Sequence, residues 1–409
     1  MKPRVLMIAY ACNPEGGGEH WLGWGWAEQA AKNYSVHLIT TPNARVQVEK
    51  HAAHSGITPH FVGVPAGWGK ISGWLGGAGS WLRKIVWQYR VVRLARTLHH
   101  KHHFALVHQT TFHTFRVPFL AATLDIPSVW GPVAGGESTP PGFGRYLGSA
   151  KFGEAARKFI NRLWLGVPAI RASLFRAGTI FVSNRTTLNF LPAAVRDKCV
   201  VVSPNALRPE DEQLAPPVPK PARPEAPLRL LYVGNCVATR ALPIVFDALL
   251  VAGLRDYKLT IVGSGPALAS WKALVNKKNL SAHVEFTGQV TRDQLPGIYA
   301  AADALVFPAL RDSGGSALLE AMSKGLPVIC LDWGGPGEMV DDQSGVKIPV
   351  TTPEQTVAVL AAALARMKHE PEYGPALAAR AYQRAQTLFR WEARGVLLQT
   401  HYERLLARR

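Results

Sequence analysis

Along the first two hundred residues, short apolar runs alternate with stretches in which apolar positions recur every three or four residues. The runs at 5–10, 36–40, 60–64, 104–110, 127–133, 179–184 and 199–204 read as strands, and 19–33, 81–101, 113–124 and 151–175 as helices. Uninterrupted apolar strands separated by helices predict a parallel sheet covered on both faces. The pattern breaks at 208–227, "RPEDEQLAPPVPKPARPEAP", whose seven prolines predict an extended linker. Alternation resumes with strands at 228–234, 257–263, 283–288, 304–309, 326–332 and 345–350, and 353–409 reads as helical throughout. The expectation is an α/β chain of two Rossmann-like domains with parallel sheets facing across a cleft. Its parts are an N-terminal domain (1–207), the linker (208–227), a C-terminal domain (228–388) and a closing helix (389–409) that crosses back to the first domain. Ligands of such sheets bind at the carboxyl ends of the strands.

Composition narrows this picture. A length of 409 residues, 47% of them apolar, suits two cores. No window approaches about 18 uninterrupted apolar residues, so no membrane span is expected. "MKPRVLMIAYA" leads into a Gly-rich turn and reads as a first strand rather than a cleaved leader. Cys12, Cys199, Cys236 and Cys330 are scattered, which predicts neither disulfides nor zinc and fits the cytoplasm. The net charge of +18 is uneven: residues 1–180 hold 20 Lys/Arg against 7 Asp/Glu, with no acid between Glu49 and Asp125. An anionic partner is implied. No nucleic-acid module accompanies the charge, so nucleic acid is not the expected partner. The stretch 67–103 combines five Trp/Tyr and seven Lys/Arg, and from Trp81 on, Ile85, Tyr89, Val92 and Ala95 share its helical face. It reads either as a contact with an anionic membrane or as a domain helix with a solvated basic face.

The densest candidate chemistry lies at 307–340, "FPALRDSGGSALLEAMSKGLPVICLDWGGPGEMV". A strand ends, a Gly-containing loop follows, and a helix starts near Ser316 carrying Glu320. Backbone amides at such a helix start can hold phosphate, and a carboxylate can accept two hydrogen bonds from a ribose diol. Taken alone, Glu320 is equally a helix-start charge favoured by the dipole. This segment closely resembles the donor-binding core of family-4 glycosyltransferases, a retaining group with the GT-B fold. That family carries a Glu, seven residues, then a second Glu ahead of "EAM-x-x-G-x-P-V-I". The resemblance implies that Glu320 holds the nucleotide ribose and that Asp312, where the family has the first Glu, contacts the donor hexose within "RDSGG", so that Ser313, Gly314 and Gly315 join the donor site.

"LLYVGNCVATRALPIVFDAL" (230–249) resembles the family's diphosphate clamp. Gly234 is kept, Asn235 stands at the family's Arg position, and Arg240 at its Lys position. Arg240 can grip a diphosphate bidentately, and Arg311 is a candidate for the missing second cation. "LTIVGSGPALASWKALV" (259–275) resembles the family's nucleotide-side framework, which implies that Gly263 ends the next strand beside the nucleotide. In the N-terminal half, "YACNPEGGGEHWLGWGW" (10–26) resembles the loop near donor phosphates and acceptor, which implicates Gly17, Gly18 and Glu19. "LVHQTTFHTFRV" (106–117) has His108 and Thr110 where family members show His-x-His, leaving His113 to approach the reacting sugar if the local helix starts early. The resemblance implies a retaining, metal-independent hexosyltransferase with no cofactor, whose partners are a nucleotide-sugar donor, most often UDP-linked, and a glycan or lipid-linked acceptor of the cell envelope or exopolysaccharide. The alternative is a sugar-nucleotide-binding protein without transferase activity, suggested by Asp312 and Asn235.

Overall fold

A computed structural model describes residues 2–65, 76–212 and 225–408. In chain order its main elements begin β1 (Arg4–Ala9), α1 (Glu19–Asn33), β2 (Ser35–Thr40), α2 (Arg45–Ser55), β3 (Ile57–Phe61), α3 (Gly76–His102), β4 (Leu106–Gln109) and β5 (Ser128–Val133). They continue with α4 (Ala150–Gly166), α5 (Pro168–Arg176), β6 (Thr179–Val182), α6 (Arg185–Phe190) and β7 (Cys199–Val201). Next come β8 (Leu228–Val233), α7 (Pro243–Ala252), β9 (Tyr257–Val262), α8 (Leu268–Lys277), β10 (Val284–Gly288), α9 (Leu295–Ala301), β11 (Ala304–Phe307) and α10 (Ser316–Ser323). The chain closes with β12 (Val328–Leu331), α11 (Gly334–Met339), β13 (Gly345–Ile348), α12 (Pro353–His369), α13 (Tyr373–Leu388) and α14 (Trp391–Leu406).

Two Rossmann-like α/β units result. The first comprises residues 1–136, 159–204 and 391–409, and the second residues 137–158 and 205–390. Among the described residues, the first holds a sheet in the order β3-β2-β1-β4-β5-β6-β7 and the second one in the order β10-β9-β8-β11-β12-β13. All pairings are parallel. The central strands are buried along their length, Val5 to Ala9 completely, as a sheet covered by helices on both faces requires.

Four differences from the sequence expectation have local causes. Residues 137–158 belong to the second unit rather than to an unbroken N-terminal domain. Phe143, Tyr146 and Leu147 enter that unit's core, Tyr146 donates a hydrogen bond to Asp247 at 2.9 Å, and Trp333 Nε1 donates to the Ser138 carbonyl at 2.8 Å. No helix runs over 113–124: Phe112 and His113 hold positive φ of 91° and 31°, which a right-handed helix excludes, and only a 3-10 turn at Leu120–Leu124 remains. The stretch 151–175 divides at Val167, whose extended backbone precedes Pro168. The linker begins folded rather than extended, as a 3-10 turn at Pro209–Asp211 whose Asp211 pairs with Lys324 at 3.0 Å; residues 213–224 of it lie outside the described residues.

The closing helix α14 packs on α1 inside the first unit. A Cβ at Gly25 would lie 2.2 Å from the Trp391 ring, and one at Gly395 would lie 2.7 Å from Gln29 Oε1. The two helices therefore meet through glycines that leave room for a neighbour. His108 fixes the other end of this contact: its Nδ1 lies 2.6 Å from the Tyr402 hydroxyl and its Nε2 2.8 Å from the Gly131 carbonyl. Full burial pushes this imidazole down to about 4, so it is neutral at pH 7 and serves the core.

Candidate functional site

In the second unit the chain adds β9 and β10 on one side of β8, and β11 to β13 on the other. The loops after β8 and β11 consequently diverge, and their strand ends form the switch point at which open α/β sheets bind ligands. Both loops carry candidate residues. Arg240 ends a 3-10 turn after β8, and Asp312 lies in the loop after β11. Their side chains form a salt bridge, with relative exposures of only 21% and 6%. A backbone hydrogen bond from Leu310 N to the Thr239 carbonyl, at 2.9 Å, ties the same two loops together.

Each partner is held from behind. The Arg240 guanidinium lies over the Phe307 ring, 5.0 Å from its centroid. Burial pulls its pKa down, Tyr232 opposes that, and Arg311 adds to it; an arginine still keeps its proton at neutral pH. Asp312 Oδ1 accepts from Gly314 N at 2.8 Å, and the Asp312 carbonyl accepts from Gly335 N at 2.9 Å. The Gly334–Gly335 pair permits this approach. A Cβ on Gly334, whose φ is +60°, would lie 2.7 Å from the Asp312 carbonyl oxygen, and one on Gly335 would lie 2.4 Å from the Ser313 backbone. The Asn205 side chain donates to the Gly314 carbonyl. Ser313, Gly314 and Gly315 thus form a braced loop immediately ahead of α10.

Glu320 follows on α10. Its Oε2 accepts from the Tyr299 hydroxyl at 2.9 Å. Burial raises its pKa, the Tyr299 hydrogen bond opposes this, the Asp211 charge adds to it, and Arg292 and Lys324 oppose it further. Gly234 and Gly263 end β8 and β9 side by side. A Cβ on Gly263 would lie 2.0 Å from the Gly234 carbonyl oxygen, so the second glycine is required by the backbone of the first. Asn235 is exposed next to them.

Arg311 is close enough to Arg240 to act on its charge, and it is paired with an acid from a distant segment. Its guanidinium pairs with Glu154 of α4 at 3.0 Å and lines a cavity of about 930 Å³ with Thr239, Arg145 and Trp271. Burial and the nearby Arg157 lower its pKa, while Glu154 and Glu137 raise it.

The first unit has its own switch point, between β1 and β4. Gly17 and Gly18 lie exposed in the loop after β1, and Gly18, with φ 57° and ψ −129°, precedes α1 without a side-chain cap. Glu19 Oε1 accepts from Phe112 N at 2.9 Å. This contact fastens the start of α1 to the loop after β4, where His113 sits. The loop turns at Phe112 and His113 through two residues at positive φ rather than into an early helix. The sequence reading missed Tyr299, Glu154 and the close approach at Gly334–Gly335. "DWGGPG" signals the last of these, whereas a tyrosine on α9 and a glutamate on α4 carry no signal of the partners they meet.

Residues 218–384 match the family described as Glycosyl transferases group 1. The matched stretch falls within the second unit and takes in Arg240, Asp312 and Glu320. Among curated relatives, the 2-deoxystreptamine glucosyltransferase of Streptomyces kanamyceticus is 31% identical over 157 residues, 38% of this chain and 39% of the relative. The chain thus matches about two fifths of that protein's length. Among solved structures, the sucrose-phosphate synthase of Thermosynechococcus elongatus superposes with a TM-score of 0.63 at 20% identity, covering 100% of both chains. Anabaena HepE, solved in complex with UDP and glucose, superposes with a TM-score of 0.59 at 14% identity over 98% of this chain and 99% of that one. Similarity of this extent establishes the GT-B fold across both units.

Proposed function

We propose that the protein is a retaining, metal-independent glycosyltransferase that moves a hexose-type sugar from a nucleoside diphosphate, UDP first among them, to a hydroxyl of a glycan or lipid-linked acceptor. Its setting would be cell-envelope or exopolysaccharide synthesis on the cytoplasmic side. The observation that carries this reading is the buried Arg240–Asp312 pair at the switch point of a group 1 domain, with Glu320 on the helix that follows. UDP takes precedence because HepE, which shares the fold, is seen with UDP and glucose.

In this reading the incoming diphosphate takes Asp312's place on Arg240. A phosphate and a guanidinium form charge-assisted bonds that a buried site strengthens. Asp312, released, accepts hydrogen bonds from the donor sugar, and Glu320 accepts two from the ribose diol. As the anomeric carbon–oxygen bond breaks, charge grows on the leaving phosphate oxygen, where Arg240 and the amides of the 313–315 loop stabilise it. The acceptor oxygen bonds to the anomeric carbon from the face the diphosphate leaves, and its proton passes to the departing phosphate, so the configuration is kept. In the first unit, Glu19 holds the shape of the loop that carries His113, and Gly17 and Gly18 offer backbone amides in the loop after β1.

A screen of UDP-, GDP- and ADP-sugars for donor hydrolysis tests the proposal without an acceptor. Release of UDP from at least one donor is expected, unchanged by a chelator. Release that stops on chelation would remove the metal-independent part, and failure of every nucleotide to bind would remove the whole reading. Tight binding with neither hydrolysis nor transfer would favour the sugar-nucleotide-binding alternative.

A further inference from the structure

Helix α4 leaves an apolar stripe in solvent. Phe152, Phe159, Ile160 and Leu163 are exposed by 72, 62, 47 and 59%. Their spacing of seven, then three or four residues puts them on one side of a 3.6-residue repeat. The opposite side is the anchored one. Asn161 donates to the Gly135 carbonyl at 2.7 Å and accepts from Arg116 at 2.7 Å, and the Trp164 ring lies 5.7 Å from that of Trp81 on α3. The stripe is therefore not a core face that could turn inward.

Beside the stripe, Lys151, Lys158 and Arg162 are exposed, at positions that fall together on its flank. The one acid of the helix, Glu154, is turned away and paired with Arg157 and Arg311. Bulky apolar side chains bordered by basic ones suit the head-group and acyl boundary of an anionic bilayer. The Trp81–Trp164 contact also brings α3, with its exposed Leu82 and half-buried Lys84, up to this helix. On α3, Val92 and Ala95 are buried and only Tyr89 of the face read from the sequence is exposed, which favours the domain-helix alternative there; residues 67–75 of that stretch lie outside the described residues. We propose that α4 is the membrane-docking element of this protein, with Phe159, Ile160 and Leu163 entering an anionic lipid surface and Lys158 and Arg162 meeting its head groups. This does not depend on the glycosyltransferase reading.

Co-sedimentation of the full chain with phosphatidylcholine vesicles, with and without phosphatidylglycerol, tests it. Binding is expected to the anionic vesicles only. It should weaken by at least about tenfold in Phe159→Ser/Leu163→Ser, whose side chains are exposed and not needed for folding. Lys158→Gln should cost about fivefold, as one basic residue near a charged surface does. Equal partitioning of the parent and the double variant would overturn the proposal. So would a parent that ignores lipid but self-associates in sedimentation equilibrium through Phe159 and Leu163, since a second copy would then cover the stripe.

Discussion

Both units place their candidate residues at the same topological point, yet they fasten it differently. In the second unit, a guanidinium from the loop after β8 meets a carboxylate from the loop after β11. In the first, a carboxylate at the start of α1 holds a backbone amide in the loop after β4. A charged pair can exchange one partner for an anionic ligand, because guanidinium and phosphate match as well as guanidinium and carboxylate. A carboxylate holding an amide fixes a backbone shape instead. The comparison assigns ligand exchange to the second unit and loop shape to the first.

Arg240→Ala should have the largest effect, lowering donor hydrolysis kcat/KM by about 10²–10³-fold, as losing a preorganised charge at a leaving group does. A loss below tenfold would show that the exchange does not occur at this pair. Glu19→Ala removes a charged hydrogen bond worth about 1.5–3 kcal/mol. Transfer should fall about tenfold or more while UDP affinity by calorimetry stays unchanged; a parallel loss of UDP affinity would erase the division between units.

Glu320→Gln should weaken UDP by about tenfold, the equivalent of one charged hydrogen bond, and at the same time raise Tm at neutral pH. The sign follows from the raised pKa of Glu320. The folded state favours its protonated form, so the stability linked to that proton is full below the ordinary glutamate range and lost as pH rises through the folded value. The Tm gain should therefore vanish in acid, and thermal melts across pH check it. Arg311→Ala is expected to change UDP affinity by less than about fivefold, as a partly exposed pair does; a larger loss would return Arg311 to the diphosphate.

The paired sheets were legible because buried parallel strands such as "VLMIA" and "ALVF" alternate with helical stretches, and Arg240, Asp312 and Glu320 through the resemblance of their segments to a glycosyltransferase donor core. What escaped the sequence depends on partners distant along the chain. The commitment of Arg311 to Glu154 needs residues 137–158 to leave the N-terminal sheet for the second unit. The loop at His113 needs two non-glycine residues at positive φ, a conformation that residue type argues against and that Glu19 helps to hold. Apolar spacing likewise left the α3 face open between two readings, since periodicity finds a stripe without saying whether core or solvent covers it.

The central claim is that a nucleoside diphosphate displaces Asp312 from Arg240 while Glu320 holds its ribose. A crystal structure of the full chain with UDP tests this most directly. Phosphate oxygens on the Arg240 guanidinium, Asp312 turned away from it, and both ribose hydroxyls on Glu320 are expected. UDP bound elsewhere, with the Arg240–Asp312 pair still closed, would contradict the account.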